Sequence, residues 1–197
     1  MAETKAATIP ESLIYEMIDG TPLYYKGYRD VLEGTKNLEA VMGSSKIQSY
    51  LVGELLFFLR SILGQDYYLF TNELGVLFSK GSWRAADIAL VKKGRPFDLD
   101  DKYLEIPPDI VFEIDTKGEL LDLERPFDYF QNKTDDLLDF GVGTVVWIFT
   151  DTQKVLLAKP NQDWIIRDWH QDLEVMDGVV INIGKLLAEF PKKLGEE

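Results

Sequence analysis

The sequence predicts an α/β (α+β) fold: a mixed central sheet flanked by helices, with an N-terminal hairpin and a C-terminal β meander. Three observations lead there. Ile110, Val111, Phe112 and Ile114 form an apolar run typical of a strand buried on both faces. A helical period over 123–140 separates that run from a second one, Thr144 to Phe149 (TVVWIF). A helix between two apolar strands implies a parallel pair with a right-handed crossover. Ile47, Leu51, Leu55, Phe58 and Leu59 recur at helical spacing and supply a further helix.

In chain order, residues 1–10 read as a flexible tail, 11–190 as a single domain and 191–197 as a C-terminal tail. Tyr15 to Gly20 alternates and ends on Asp-Gly, a hairpin signal, with Leu23 to Tyr28 as the return strand. Asp30 to Val41 is polar and fits a loop or a short helix. The first long helix starts at Ser44 or Ser45, runs to Leu63 and is closed by Gly64. Tyr67 to Phe70, Leu74 to Phe78 and Ala86 to Val91 read as strands, and Arg95 to Ile106 as an exposed acidic connection. The second long helix, Leu123 to Phe140, is amphipathic through Phe127, Phe130, Leu137 and Phe140, with Pro126 in its first turn and Gly141 as C-cap. Val155 to Ala158, Trp164 to Trp169 and Val179 to Ile183 form the closing meander, and Lys185 to Phe190 a last turn of helix.

Composition narrows the chemistry. The 197 residues carry a formal net charge of -13, no cysteine and one histidine, His170. Disulfides, thiolate catalysis and Cys-based zinc sites are excluded, and multi-histidine metal sites with them. No apolar run reaches the length of a membrane span, and Met1 to Pro10 lacks a signal-peptide core, so the expectation is a soluble cytoplasmic protein that does not engage a membrane. The acidic balance lacks the basic footprint usual in nucleic-acid binders, yet it suits carboxylates that hold a cation.

The chemistry concentrates in PPDIVFEIDTKGE, Pro107 to Glu119. Asp109, Glu113 and Asp115 are in phase on one side of a strand, and charge in a buried strand needs compensation. Asp87 on the preceding strand and Glu113 are two carboxylates from neighbouring strands, a pair able to hold a divalent cation such as magnesium or manganese. Lys133 on the second helix supplies an ammonium to offset developing charge. Two acids and a lysine are the minimum for metal-assisted phosphodiester hydrolysis. Each residue also has a plainer reading: Asp87 as a turn carboxylate, Lys133 as a solvent-facing helix lysine beside Asp135 and Asp136, Arg84 as the partner of an acidic neighbour, Glu16 as a hairpin surface residue. Trp147, Trp164 and Trp169 read as core or as sheet packing.

From Tyr15 to Phe190 the chain resembles the Uma-two family of restriction-endonuclease-type domains, in the PD-(D/E)XK nuclease superfamily. Glu16-Met-Ile-Asp19-Gly20 matches its E-x-x-D-G element, and Gln48-Ser-Tyr-Leu51-Val52-Gly53-Glu-Leu55 its H-x-x-I-V-G-x-L helix. Arg84-Ala85-Ala86-Asp87 matches R-x-P-D, and Pro108-Asp-Ile-Val111-Phe-Glu113-Ile114-Asp-Thr116 matches P-x-x-V-x-E-V-x-S. Lys133, then Gly141-Val142 and Val146-Trp147, match K-x-x-x-Y with G-V-x-x-V-W. The resemblance implies a restriction-endonuclease-like fold, a magnesium (or manganese) cofactor, DNA as substrate and a homodimer. It casts Asp87 and Glu113 as the acids and metal ligands, and Lys133 as the migrated lysine. Asp115, Lys117, Glu16, Arg84 and Gln48 are candidate accessory residues. The departures are Gln48 for histidine, Ala86 for proline, Thr116 for serine and Leu137 for tyrosine. Asp115 stands where the classical lysine would lie, open to roles as a third ligand or a partner of Lys133. The literal signature Pro108-Asp109…Asp115-Thr116-Lys117 is set aside, because it puts both acids on one strand. The alternatives are a catalytically silent interaction or dimerisation module on the same scaffold, and a hydrolase of a small phosphorylated substrate.

Overall fold

The computed structural model describes residues 9–123, 125–188 and 190, so most of the two expected tails lies outside the described residues. The chain opens with a hairpin, β1 (Ile14–Ile18) and β2 (Thr21–Tyr24), turned through Asp19 and Gly20, both at positive φ. The return strand is shorter than expected: Tyr28 already belongs to helix α1 (Tyr28–Leu32), which α2 (Leu38–Met42) follows, so the polar stretch is two short helices.

Helix α3 (Lys46–Leu63) begins where Ser45 Oγ accepts the Gln48 N–H at 3.2 Å, a side-chain N-cap. Its Leu51, Leu55, Leu59 and Leu63 are buried against the sheet. The two strands expected after it are one long strand, β3 (Tyr67–Ser79), bent by a bulge at Asn72 and Glu73, both left-handed. It pairs along β4 (Ser82–Lys92), which also runs longer than its apolar segment. The acidic connection is docked on β3 and β4: Leu104 is buried and bridges Val76, Phe97 packs on Tyr68 and Phe70, and Tyr103 on Trp83.

Strand β5 (Ile110–Ile114) is fully buried and pairs antiparallel with β4 and parallel with β6 (Thr144–Phe149). The parallel crossover is made by α4 (Pro126–Phe140), which a short 3-10 turn, Leu120–Asp122, precedes and Gly141 at φ 112° terminates. Beyond β6, β7 (Lys154–Ala158) and β8 (Ile165–Asp168) extend the same sheet, while β9 (Leu173–Met176) and β10 (Val179–Ile181) form a separate hairpin before α5 (Ile183–Leu187).

Alternation along β5 sorts the core into two halves. Ile110, Phe112 and Ile114 join the α3 leucines, Ile88, Leu90, Val146 and Ile148. Val111 points the other way, with Ala85, Ala89, Val145, Trp147, Tyr129 and Leu137 under α4. Glu113 and Asp87 therefore lie on the α4 side by strand parity.

Strand β4 carries β3 along one edge, while the other edge is divided: Trp83 pairs with Met17 of β1, and Ile88 to Leu90 pair with β5. Between those two segments the sheet edge is open, and Ala85 to Asp87 occupy the gap.

Candidate active site

The gap in the sheet is filled by side chains rather than by a strand. Ala85 N–H donates to Glu16 Oε1 at 3.1 Å, and the Ala85 carbonyl accepts from Lys133 Nζ at 2.8 Å. A bulge between Ile14 and Glu16 buries Tyr15 and Glu16 as consecutive residues. Glu16 also accepts from the Tyr129 hydroxyl at 2.9 Å and from Lys133 Nζ at 2.7 Å.

Lys133 Nζ lies 3.1 Å from Glu113 Oε2 as well, so its three N–H groups face Glu16, Glu113 and the Ala85 carbonyl. Lys133 and Glu113 are each 1% exposed and Glu16 is 0% exposed. The other oxygen of Glu113, Oε1, is buried with no hydrogen-bond partner. An orphaned carboxylate oxygen is costly unless something else satisfies it.

Asp87 stands beside this group. Its Oδ2 accepts the Ile114 N–H at 2.7 Å, which ties the carboxylate of β4 to the backbone of β5 one residue beyond Glu113. Burial raises the Asp87 carboxyl above its ordinary value, against the Ile114 N–H and the charges of Lys133 and Lys117. Burial drives Glu113 well above the usual carboxylate range, with Lys133 opposing and Asp87 and Glu16 adding to the rise. Burial alone would favour neutral Lys133, but Glu113 and Glu16 outweigh it and hold the ammonium well above its ordinary value.

The accessory candidates divide. Glu16 belongs to the group and is no hairpin surface residue. Arg84 is 2% exposed, donates to the Met17 carbonyl at 2.8 Å and pairs with Asp136, so it braces α4 against β1. Gln48 donates from Nε2 to the Ile114 carbonyl at 2.8 Å, pinning β5 from the α3 side. Asp115 turns out of the strand at φ 57°, and its two oxygens accept from Thr150 N–H at 2.8 Å and Thr150 Oγ1 at 2.6 Å. It pairs with Thr150, not Lys133. Lys117 pairs with Glu73, whose other oxygen accepts from the Tyr25 hydroxyl at 3.3 Å. Asp109 accepts from Lys92 N–H at 2.7 Å and faces Arg95, a strand-entry role.

Tyr129 and Glu73 were not among the sequence candidates. Tyr129 sits four residues before Lys133, one helical turn away on the same face, and that spacing is its signal. Glu73 reaches the area only through the β3 bulge, which leaves no local pattern.

Among the described residues, no three His, Asp or Glu side chains converge in metal-binding geometry. A cation here would rest on two carboxylates, with water and substrate oxygens completing the shell, as hard divalent ions commonly bind. The donor set fits that arrangement: oxygen ligands only, one of them unpartnered. With the three carboxylates ionised against one ammonium, the group carries two surplus negative charges, which a divalent ion balances.

A mixed sheet carrying two acids on adjacent strands and a lysine on the crossover helix defines a restriction-endonuclease-like nuclease fold. The family model for Uma2, described as "Putative restriction endonuclease", matches residues 35–182, most of the chain, and the chain belongs to that family. Among solved structures it is similar to "a putative nuclease belonging to DUF820" from Anabaena variabilis ATCC 29413, with a TM-score of 0.58 and 20% identity. The match covers 73% of this chain and 81% of that one, and at this identity it speaks for the fold. No curated protein matches. Among the described residues, no helix is long and apolar enough to cross a membrane.

Proposed function

We propose that the protein is a magnesium- or manganese-dependent endonuclease that hydrolyses phosphodiester bonds in DNA, with residues 11–190 as one catalytic unit. The observation that carries this reading is the convergence of Asp87, Glu113 and Lys133 at the sheet gap, with Glu113 Oε1 left unpartnered. Asp87 and Glu113 would hold the cation, which when bound supplies Lewis-acid polarisation of the phosphate. Asp87 is oriented by the Ile114 N–H, and Glu113 by Lys133. Lys133 in turn is fixed by Glu16 and the Ala85 carbonyl, which locks the second acid's rotamer. The homodimer implied by the family belongs to the same reading and is checked by sedimentation.

A second reading, a catalytically silent interaction module, draws on one observation. All three Lys133 N–H groups are engaged and the lysine is 1% exposed, as in a purely structural ion cluster. Calorimetric titration separates the two. The nuclease reading expects Mn²⁺ binding that Asp87→Asn weakens by about 10- to 100-fold; no binding to the folded wild type leaves the silent module.

A further inference from the structure

The three N–H groups of Lys133 are already taken by Glu16, Glu113 and the Ala85 carbonyl, so none is left for a substrate phosphate. A second lysine is better placed. Lys117 is 13% exposed at its side chain and lines a cavity of about 740 Å³ together with Lys26, Lys36, Gln48 and Thr116. The cavity is mixed in charge: Asp30, Asp115, Glu119 and Asp151 line it too, and Lys36 is paired with Asp30 at 2.7 Å, so Lys26 is the further cation beside Lys117. Lys117 follows by three residues the Ile114 N–H that holds Asp87, and its charge opposes the rise of the Asp87 carboxyl.

Its backbone is held independently of its side chain. The Lys117 carbonyl accepts from Lys26 N–H at 2.7 Å, and Gly118 packs so tightly that an added Cβ would come within 2.7 Å of Leu23 Cδ2. The ammonium is the free end of a fixed arm. Its carboxylate partner, Glu73, sits on the β3 bulge at φ 57°, a left-handed conformation that a glutamate adopts only when its surroundings impose it. The bulge therefore serves to bring one carboxylate to Lys117, and it does so from the strand that pairs with Asp87's own. Tyr25 holds the other Glu73 oxygen, so the carboxylate stays in place when the lysine leaves.

We infer that Lys117 is the phosphate-contacting cation of the site, held by Glu73 in the free protein and transferred to a backbone phosphate oxygen of the nucleic acid when it binds, while Lys133 only positions Glu113. This rests on the nuclease reading for the identity of the substrate. The exchange is one of ion partners: no covalent bond forms or breaks.

The test is binding of a duplex DNA oligonucleotide as a function of salt, beside plasmid cleavage with Mn²⁺, for wild type, Lys117→Met, Lys117→Arg and Glu73→Gln. Loss of one phosphate contact lowers the slope of log K against log salt by about 0.9. Lys117→Met is expected to show that drop and a cleavage loss of about 100-fold, with Mn²⁺ binding and melting retained. Lys117→Arg keeps the slope, and Glu73→Gln tightens DNA binding by releasing the lysine. An unchanged slope in Lys117→Met, or no DNA binding by folded wild type even at low salt, overturns the inference. A slope drop with no cleavage by wild type keeps the phosphate contact and removes the nuclease reading. Cleavage abolished by Glu113→Ala but untouched by Lys117→Met does the reverse.

Discussion

Lys133 Nζ lies 2.7 Å from Glu16 Oε1, two residues 117 positions apart in the chain, and both are shut off from solvent. The pair closes an opening in the central sheet that no strand fills. Glu16 answers an amide, a phenol and an ammonium at once. Removing Glu16 would strand each of those buried donors.

Glu16→Ala is therefore expected to cost about 3–5 kcal/mol, because it strands a buried ammonium and an amide. Denaturant unfolding measures it. Glu16→Gln should cost less, since an amide oxygen still accepts from Ala85 N–H or Tyr129. A loss under about 1 kcal/mol for Glu16→Ala would place the pair among ordinary surface bridges.

Burial raises Glu113 and Asp87 in the metal-free protein. The folded chain keeps these protons to higher pH than the unfolded chain does. Their favourable contribution is complete below the unfolded carboxyl values, about 3.9 for Asp87 and about 4.3 for Glu113, and is lost as pH rises through the raised folded values. Metal-free stability should thus fall with pH above that point. Glu113→Gln should flatten the fall, by up to about 1.4 kcal/mol per pH unit. Melts across pH 4.5 to 8 in chelator give the slopes; parallel slopes in the two proteins contradict the assignment.

Metal binding carries the opposite pH dependence. Mn²⁺ must displace protons from the same two carboxyls, so its affinity rises with pH and each binding event releases protons. At a concentration about 100-fold above the dissociation constant, Mn²⁺ should stabilise the fold by about 2.7 kcal/mol. The shift should be larger at pH 8 than at pH 6, and at the same Mn²⁺ concentration Asp87→Asn should cut it to about 0.4–1.4 kcal/mol. Calorimetry in buffers of different ionisation enthalpy reports the protons released.

Gln48 tests a departure from the family pattern. Its Nε2 satisfies the Ile114 carbonyl inside the fold. Gln48→Leu leaves that acceptor bare and should cost about 1–3 kcal/mol. Since no titration is involved, the cost should be the same at pH 6 and pH 8, which separates a structural glutamine from a group in the proton inventory.

Much of this was legible in the residues. The apolar runs at Ile110 to Ile114 and Thr144 to Phe149, with a capped helix between them, dictated the parallel centre of the sheet. Asp87, Glu113 and Lys133 stood out as charges in or near that frame, and the fold brings them to one edge. What was hidden depended on register and exposure. Lys133 carries acidic neighbours in sequence, yet Asp136 turns to Arg84 while the lysine points inward. Asp115 looks in phase with Glu113 until a left-handed φ turns it to Thr150. Glu16 became central through one bulge, and Glu73 through another. Bulges change which face a residue occupies without leaving a periodic mark.

If the proposed function holds, Glu113 is indispensable to phosphodiester cleavage. Plasmid DNA incubated with Mg²⁺ or Mn²⁺ and the purified protein, wild type beside Glu113→Gln, tests it most directly. Nicking or linearisation by wild type is expected, and a loss of at least about 100-fold in the variant, with the fold intact by melting. Equal cleavage by the two proteins, or none by folded, metal-loaded wild type, would contradict it.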